Sequence, residues 1–67
     1  MNIKNILNDG INILKKNKIP NPQLDTEILL SDLIKRDKKY IILNPKELLN
    51  SEQLDKFKSL IERRKKG

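Results

Sequence analysis

The sequence predicts an all-α fold, a small bundle of four to five short helices around a central second helix. Apolar residues recur at spacings of three and four, as on one face of a helix, rather than alternating as in a strand. Links containing asparagine and proline divide the chain into segments of helix length. Residues 24–34 are apolar on nearly every side of a helical wheel, so the other helices are expected to enclose this segment.

The first predicted helix covers residues 2–16. Its apolar positions form one stripe, and Gly10 lies on that stripe. Glycine inside a helix costs roughly 1 kcal/mol relative to alanine. Gly10 therefore marks either a close crossing of two helices or a tolerated defect, and the sequence leaves both interpretations open.

The second helix follows a link at residues 17–22 that holds two prolines, which cannot continue a helix. Asn21 is expected to cap this helix, with Pro22 in its first turn. Packing on several sides is expected to bury three apolar strips of the helix. These strips are Leu24 with Ile28, Leu29 with Leu33, and Leu30 with Ile34.

Residues 40–43 are predicted to form a short helix or turn that fills the core. A strand is the alternative for this β-prone run, but a single strand would have no partner. Asn44 and Pro45 repeat the pattern of a cap followed by proline. Leu48 and Leu49 are expected to fold back under the last helix.

The last helix is predicted to start with a capping box, with Asn50 at the N-cap and Gln53 three residues later. One face of this helix is apolar. It consists of Leu54, Phe57, Leu60 and Ile61.

The composition excludes several classes of function. The chain has no histidine and no cysteine, which removes the usual general base near neutral pH, thiol nucleophiles, common zinc sites and disulfides. We therefore expect no enzyme activity from this chain alone and assign no catalytic, cofactor-binding or metal-binding residue. The longest aliphatic run is three residues, so no membrane span and no secretory segment is predicted. A cytoplasmic location is expected.

The formal net charge of +6 raises the alternative of a small basic helical domain that binds nucleic acid and has no enzyme activity. Residues 63–66 supply four of these charges, so the rest of the chain is nearly balanced. In a helix-turn-helix reading, Glu52 and Asp55 would face the DNA at the start of the last helix, where donors are needed. Tyr40 and Phe57 are too few aromatic residues for stacking on a single strand. Nucleic acid is therefore not the expected partner.

Three segments, taken in order, resemble the N-terminal domain of the release factor glutamine methyltransferases, the PrmC/HemK family. Residues 25–30, Asp-Thr-Glu-Ile-Leu-Leu, resemble the family's Asp-Ala-Glu-x-Leu-Leu run, with Thr26 where alanine is usual. The Asn-Ser-Glu-Gln start at residues 50–53 follows, and Arg63 with Arg64 closes the last helix. The resemblance extends over essentially the whole chain.

This resemblance implies a two-domain enzyme in which a Rossmann-like domain uses S-adenosylmethionine to methylate the glutamine of the Gly-Gly-Gln sequence in peptide chain release factors. Residues 1–67 would be its single N-terminal helical domain, and the catalytic methyltransferase domain is absent from this chain. Gly10 and Gly67 are the only glycines, so there is no glycine-rich cofactor loop. The Asn-Pro pairs at residues 21–22 and 44–45 lack the rest of the family's Asn-Pro-Pro-Tyr element and are interpreted as helix starts.

The partners implied are the release factor and the protein's own C-terminal methyltransferase domain, with no membrane. Remote contacts that hold a large substrate would position its glutamine at the catalytic centre. Exposed basic groups, including Lys15 and Lys16, would steer an acidic partner. The candidate contact residues are Lys35, Arg36, Lys38, Lys39, Arg63 and Arg64. Their alternative role is a solvated surface, and for the two arginines it is charge complementarity at a helix end or packing on the catalytic domain. A domain that only stabilises the enzyme is a further alternative.

Overall fold

A computed structural model describes all 67 residues of the chain. It confirms the all-α prediction, with four helices and no strand beyond one isolated bridge between Asn2 and Leu48. None of the helices combines the length and the apolar character needed to cross a membrane. The helices are α1 (Ile3–Lys16), α2 (Pro22–Ile34), α3 (Lys38–Leu43) and α4 (Ser51–Arg64).

Helix α2 packs mainly against α1 and α4, and these two helices also contact each other. The backbone N–H of Ile3 donates to the carbonyl of Glu47 at 2.9 Å, which places the start of α1 beside the link that precedes α4. The Arg64 side chain contacts Asp25, which places the end of α4 beside the start of α2. Helices α1 and α4 therefore run in the same direction, and α2 runs antiparallel to both.

The core contains nine buried apolar side chains drawn from all four helices and from the links. They are Ile3, Ile6, Leu14, Ile19, Leu30, Ile41, Leu49, Phe57 and Ile61.

The prediction that packing on several sides buries all three apolar strips of α2 is wrong for one strip, Leu24 with Ile28. Leu30 is fully buried, and Leu29, Leu33 and Ile34 are partly buried against the core, but Leu24 and Ile28 are each 42% exposed. Helices α1, α3 and α4 all pack against α2 but leave Leu24 and Ile28 partly uncovered. One apolar strip of α2 therefore faces water.

Gly10 marks a close crossing of helices, which decides between the two interpretations of this residue. A Cβ atom at Gly10 would lie 2.7 Å from Cγ2 of Thr26, 3.1 Å from Cζ of Phe57 and 3.2 Å from Cδ1 of Ile61. Thr26 is itself fully buried, and its hydroxyl donates to the carbonyl of Pro22 at 2.6 Å. The glycine thus lets α1 approach both α2 and α4.

Residues 40–43 are helical, as predicted, but only Ile41 of this run fills the core. Ile42 and Leu43 are 64% and 66% exposed. A helix of six residues turns one narrow face inward, so consecutive apolar residues cannot all be buried. The same reasoning applies to the link before α4, where Leu49 is buried and its neighbour Leu48 is 74% exposed, because successive residues of an extended chain point to opposite sides.

The start of α4 is the predicted capping box. The side chain of Asn50 accepts the backbone N–H of Gln53 at 2.8 Å, and the Gln53 side chain accepts the backbone N–H of Asn50 at 3.0 Å. Asn2 caps α1 in a related way by accepting the backbone N–H of Asn5 at 2.9 Å. Helix α1 therefore begins one residue later than predicted.

One capping prediction is confirmed only for the position of the residue, and another is wrong. Asn21 occupies the N-cap position of α2, but its side chain makes no capping hydrogen bond. Its ψ angle is 69°, whereas the caps of the other three helices have ψ near 170°, so its side chain does not lie over the first turn. Asn44 ends α3 instead of starting a helix, and its side-chain amide donates to the carbonyl of Tyr40 at 2.8 Å.

Candidate docking surface

The predicted contact residues lie at two separate ends of the bundle. One end holds the α2–α3 corner, defined as residues 35–39, which contains Lys35, Arg36, Lys38 and Lys39. Arg63 and Arg64 end α4, which is about 20 Å long at 1.5 Å per residue. Lys15 and Lys16, in the last turn of α1, lie at this second end as well. The structure therefore does not gather all the predicted cations into one surface.

The α2–α3 corner is positively charged, because its four basic residues outnumber its one acidic residue. Its one acid, Asp37, is the N-cap of α3 and accepts the backbone N–H of Tyr40 at 2.8 Å. The Arg36 guanidinium lies over the Tyr40 ring, 4.9 Å from its centroid, in a cation–π contact. None of the four cations of the corner forms a salt bridge. The corner can therefore attract a negatively charged partner.

Lys35 ends α2 in the left-handed backbone region, with φ 58° and ψ 42°. Its N–H and that of Arg36 both turn back to the carbonyl of Ser31. Glycine is the residue favoured at such a position, since a side chain there costs roughly 1–2 kcal/mol. Replacing Lys35 with glycine therefore removes a charge from the corner without opposing the backbone conformation.

Tyr40 holds α3 against the link that follows it. Its hydroxyl donates to the carboxylate of Glu47, whose backbone carbonyl in turn accepts the N–H of Ile3. The hydrogen bond to Glu47 raises the pKa of Tyr40, and burial and the negative charge of Glu47 act in the same direction, while Arg36 opposes them. Tyr40 thus stays a neutral hydrogen-bond donor near neutral pH, and α3 is braced at its outer end.

The outward side of α3 carries two apolar residues, Ile42 and Leu43, that were not predicted as contacts. Ile41 points into the core and Tyr40 is half-buried, so the other four positions of this short helix are exposed, in two pairs one turn apart. One pair is Lys38 with Ile42, and the other is Lys39 with Leu43, all of them exposed. The sequence did contain a signal for this exposure, because only one of the three consecutive aliphatic residues 41–43 can face inward on a short helix.

Arg64 is engaged within the domain. Its Nη2 and Nε atoms lie 2.7 Å and 3.0 Å from the same Oδ2 atom of Asp25, and the two side chains are 36% and 22% exposed. This ion pair joins the end of α4 to the first turn of α2. The role of Arg64 in binding a partner stays a prediction. Arg63 is exposed and lines an open groove with Leu33 and Leu60.

A double-mutant cycle measures the contribution of this ion pair. We expect Asp25→Asn and Arg64→Gln to couple by about 0.5–1 kcal/mol in the free energy of unfolding, because the pair is partly exposed and screened by water. Urea denaturation of the four variants at 0.05 M and 1 M NaCl gives the coupling and its dependence on salt. Purely additive effects at low salt would show that the contact does not stabilise the bundle.

A small pocket of about 120 Å³ lies between α1 and α4. Its inner lining is apolar and includes Ile6, Ile13 and Phe57. Sites for drug-sized ligands and cofactors usually measure about 300–1,000 Å³ and hold a few convergent polar groups. The chain itself shows no cofactor-binding group, and its exposed surface is the more informative feature.

Comparison with known proteins gives matches that cover almost the whole chain. A family model described as the PrmC N-terminal domain matches residues 5–67. The chain is 35% identical over 65 residues to the release factor glutamine methyltransferase of Clostridium botulinum, covering 97% of this chain and 23% of that protein. It is 39% identical over 64 residues to a bifunctional methyltransferase of Rickettsia conorii, covering 96% of this chain and 12% of that protein.

A third relative is the release factor glutamine methyltransferase of Fusobacterium nucleatum, with 34% identity over 56 residues, 84% of this chain and 16% of that protein. The chain thus spans less than a quarter of the length of these curated relatives. No solved structure shows a significant match to the chain.

Proposed function

The chain belongs to the PrmC N-terminal domain family, and from this membership we propose that it is the substrate-recognition domain of a protein-(glutamine-N5) methyltransferase. The proposed enzyme uses S-adenosylmethionine to methylate the glutamine of the Gly-Gly-Gln sequence in peptide chain release factors, in the cytoplasm. The cofactor and the catalytic residues belong to a C-terminal methyltransferase domain in this proposal. The observation that supports it most strongly is the identity of 35% to the Clostridium botulinum enzyme over 97% of this chain.

A docking role suits the physical character of the domain. Methylating one side chain of a large protein requires that protein to be held by contacts away from the reacting group. A compact bundle with capped helices supplies a rigid surface for this purpose, and the unpaired cations of the α2–α3 corner supply attraction to an acidic partner. We assign the release factor contact to Lys35, Arg36, Lys38 and Lys39, and the contact with the methyltransferase domain to Arg63 and Arg64.

A chimeric enzyme tests this function directly. The 67-residue chain replaces the corresponding segment of the Clostridium botulinum methyltransferase, and transfer of labelled methyl groups from S-adenosylmethionine to release factor is measured. We expect the chimera to methylate release factor at least tenfold more efficiently, in kcat/KM, than the same enzyme lacking the segment. Equal methylation with and without the segment would contradict the recognition role and favour a purely structural domain.

Neutralising the corner is expected to weaken docking. In the chimera, Lys38→Gln with Lys39→Gln should raise the KM for release factor about three- to tenfold at 0.05 M NaCl. The increase should be much smaller at 0.5 M NaCl, because salt then screens the attraction in the unsubstituted chimera as well as in the variant. Lys35→Gly should act in the same direction while leaving the bundle at least as stable.

The matched control is Lys15→Gln with Lys16→Gln, which removes the same charge from the other end of the bundle. Its KM should stay within twofold of the unsubstituted chimera. If both double variants raise the KM equally, net charge and not the corner determines binding.

A further inference from the structure

The most exposed large apolar residues of the chain are concentrated in one segment. Ile42, Leu43 and Leu48 are between 64% and 74% exposed, whereas Leu24 and Ile28 on α2 are each 42% exposed. Isolated exposed aliphatic residues are common, but several together indicate a surface that another molecule covers.

The backbone brings these three residues close to one another. The N–H of Glu47 donates to the carbonyl of Asn44 at 3.2 Å, which closes a turn between Leu43 and Leu48. Leu43 and Leu48 therefore flank the same turn, and Ile42 lies next to Leu43 on the outward side of α3. These three exposed residues, called the aliphatic cluster, thus lie within seven residues of the chain, at the end of the bundle that holds the α2–α3 corner.

Positive charge surrounds this cluster. Lys38, Lys39 and Lys46 are exposed and form no salt bridge. The two carboxylates of the segment, Asp37 and Glu47, are exposed and each accept a hydrogen bond from Tyr40, but five basic residues outnumber them between residues 35 and 48. A partner that covers the cluster therefore meets a surface with more positive than negative charge.

We propose that this surface, the α3 face (Lys38, Lys39, Ile42, Leu43 and Leu48), docks an acidic segment of the protein substrate in which carboxylates alternate with aliphatic or aromatic side chains. The proposal rests on the proposed function and specifies the chemistry of the contact. Carboxylates of the segment pair with the lysines, and its apolar side chains cover the aliphatic cluster. The lysines contribute attraction at a distance, and the buried aliphatic contact contributes most of the affinity.

A protein segment fits the α3 face better than a membrane surface does. Helices that bind in a bilayer surface separate a basic face from an apolar face, so that the apolar face alone enters the lipid. On α3 the two kinds of side chain interleave, with Lys38 beside Ile42 and Lys39 beside Leu43. Insertion of the aliphatic residues into a bilayer would draw the two lysine ammonium groups toward the acyl chains. A protein surface can instead offer carboxylates to the lysines and apolar side chains to the aliphatic residues.

The α3 face is also held in place before any partner arrives. Ile41 anchors α3 in the core, Asp37 caps its first turn, and the Tyr40 hydroxyl ties it to Glu47. A surface that is already ordered loses little conformational freedom on binding, so even a small apolar contact contributes measurably to affinity.

The test uses the chimeric methyltransferase with release factor as substrate. Ile42→Ser with Leu43→Ser should raise the KM for release factor about tenfold, with kcat unchanged, and equally at 0.05 M and 0.5 M NaCl. The control is Leu24→Ser with Ile28→Ser, which removes two exposed aliphatic residues from α2 and should leave the KM within twofold. Circular dichroism of the 67-residue chains should show that both variants remain folded, since all four positions face solvent.

The failures of the two proposals are distinguishable. If the control raises the KM as much as the α3 variant, or the α3 variant changes it less than twofold, the α3 face does not dock the substrate, although the recognition function stands. If removing the whole segment leaves methylation unchanged, the recognition function fails, and the docking proposal fails with it. Tight binding of the 67-residue chain to phosphatidylglycerol vesicles or to single-stranded RNA, lost in the α3 variant, would overturn the protein-docking proposal in favour of that ligand.

Discussion

Replacing Leu30 with alanine is expected to destabilise the domain by about 2–5 kcal/mol. The Leu30 side chain is fully buried in the core, so its loss leaves a cavity that the surroundings fill only in part. A domain of 67 residues has a total stability of about 3–10 kcal/mol. We therefore expect a much lower midpoint of thermal unfolding, measured by circular dichroism, and a partly unfolded population at 37 °C.

The matched control for this prediction is Ile28→Ala on the same helix. Ile28 is 42% exposed, and alanine favours helix slightly more than isoleucine does, so the expected loss is below about 1 kcal/mol. Comparable losses for the two variants would mean that a surface of α2 which is open in the structure is covered in solution.

Replacing Gly10 with valine is expected to destabilise the domain by about 3 kcal/mol. The Cβ atom alone would lie 2.7 Å from a methyl carbon of Thr26, and valine adds two further methyl groups at the meeting point of three helices. Overpacking of this kind costs typically 1–3 kcal/mol, and a β-branched residue has little freedom to turn away. Urea denaturation should show a lower midpoint with an unchanged slope.

A second pair of variants tests whether the methyl group of Thr26 is what makes a side chain at position 10 unfavourable. Gly10→Ala should reduce stability by about 1 kcal/mol in the native background, because the contact with Thr26 outweighs the higher helix propensity of alanine. Thr26→Ser deletes the methyl group and keeps the hydroxyl that donates to Pro22. In the Thr26→Ser background, Gly10→Ala should therefore be neutral or stabilising. If the penalty of Gly10→Ala is the same in both backgrounds, the crossing is set by contacts other than Thr26.

Local rules predicted the secondary structure well because they act over a few residues. The capping box of Asn50 and Gln53 depends only on a spacing of three, and it forms as predicted. The same kind of reasoning failed at Asn44, where an asparagine followed by proline ends a helix and starts none. An asparagine amide can accept a backbone N–H at a helix start or donate to a carbonyl at a helix end, and the neighbouring elements decide which of the two occurs.

The candidate surface was predicted only in part for a related reason. Charge in the sequence identified Lys38 and Lys39, but the apolar character of Ile42 and Leu43 suggested core residues. Hydrophobicity shows that a side chain gains from burial and does not show which element will bury it. In this domain none does, and the docking proposal follows from that exposure.

By itself the sequence determined the helical class, the order of the helices, the central place of α2 and the family, because periodicity, caps and shared residue order are encoded along the chain. The tertiary structure alone decided which strip of α2 stays open, that Gly10 is a crossing point, that Arg64 pairs with Asp25, and that Ile41 rather than Ile42 or Leu43 enters the core. These features depend on distances between segments far apart in the chain, and only the packing of one helix against another sets them.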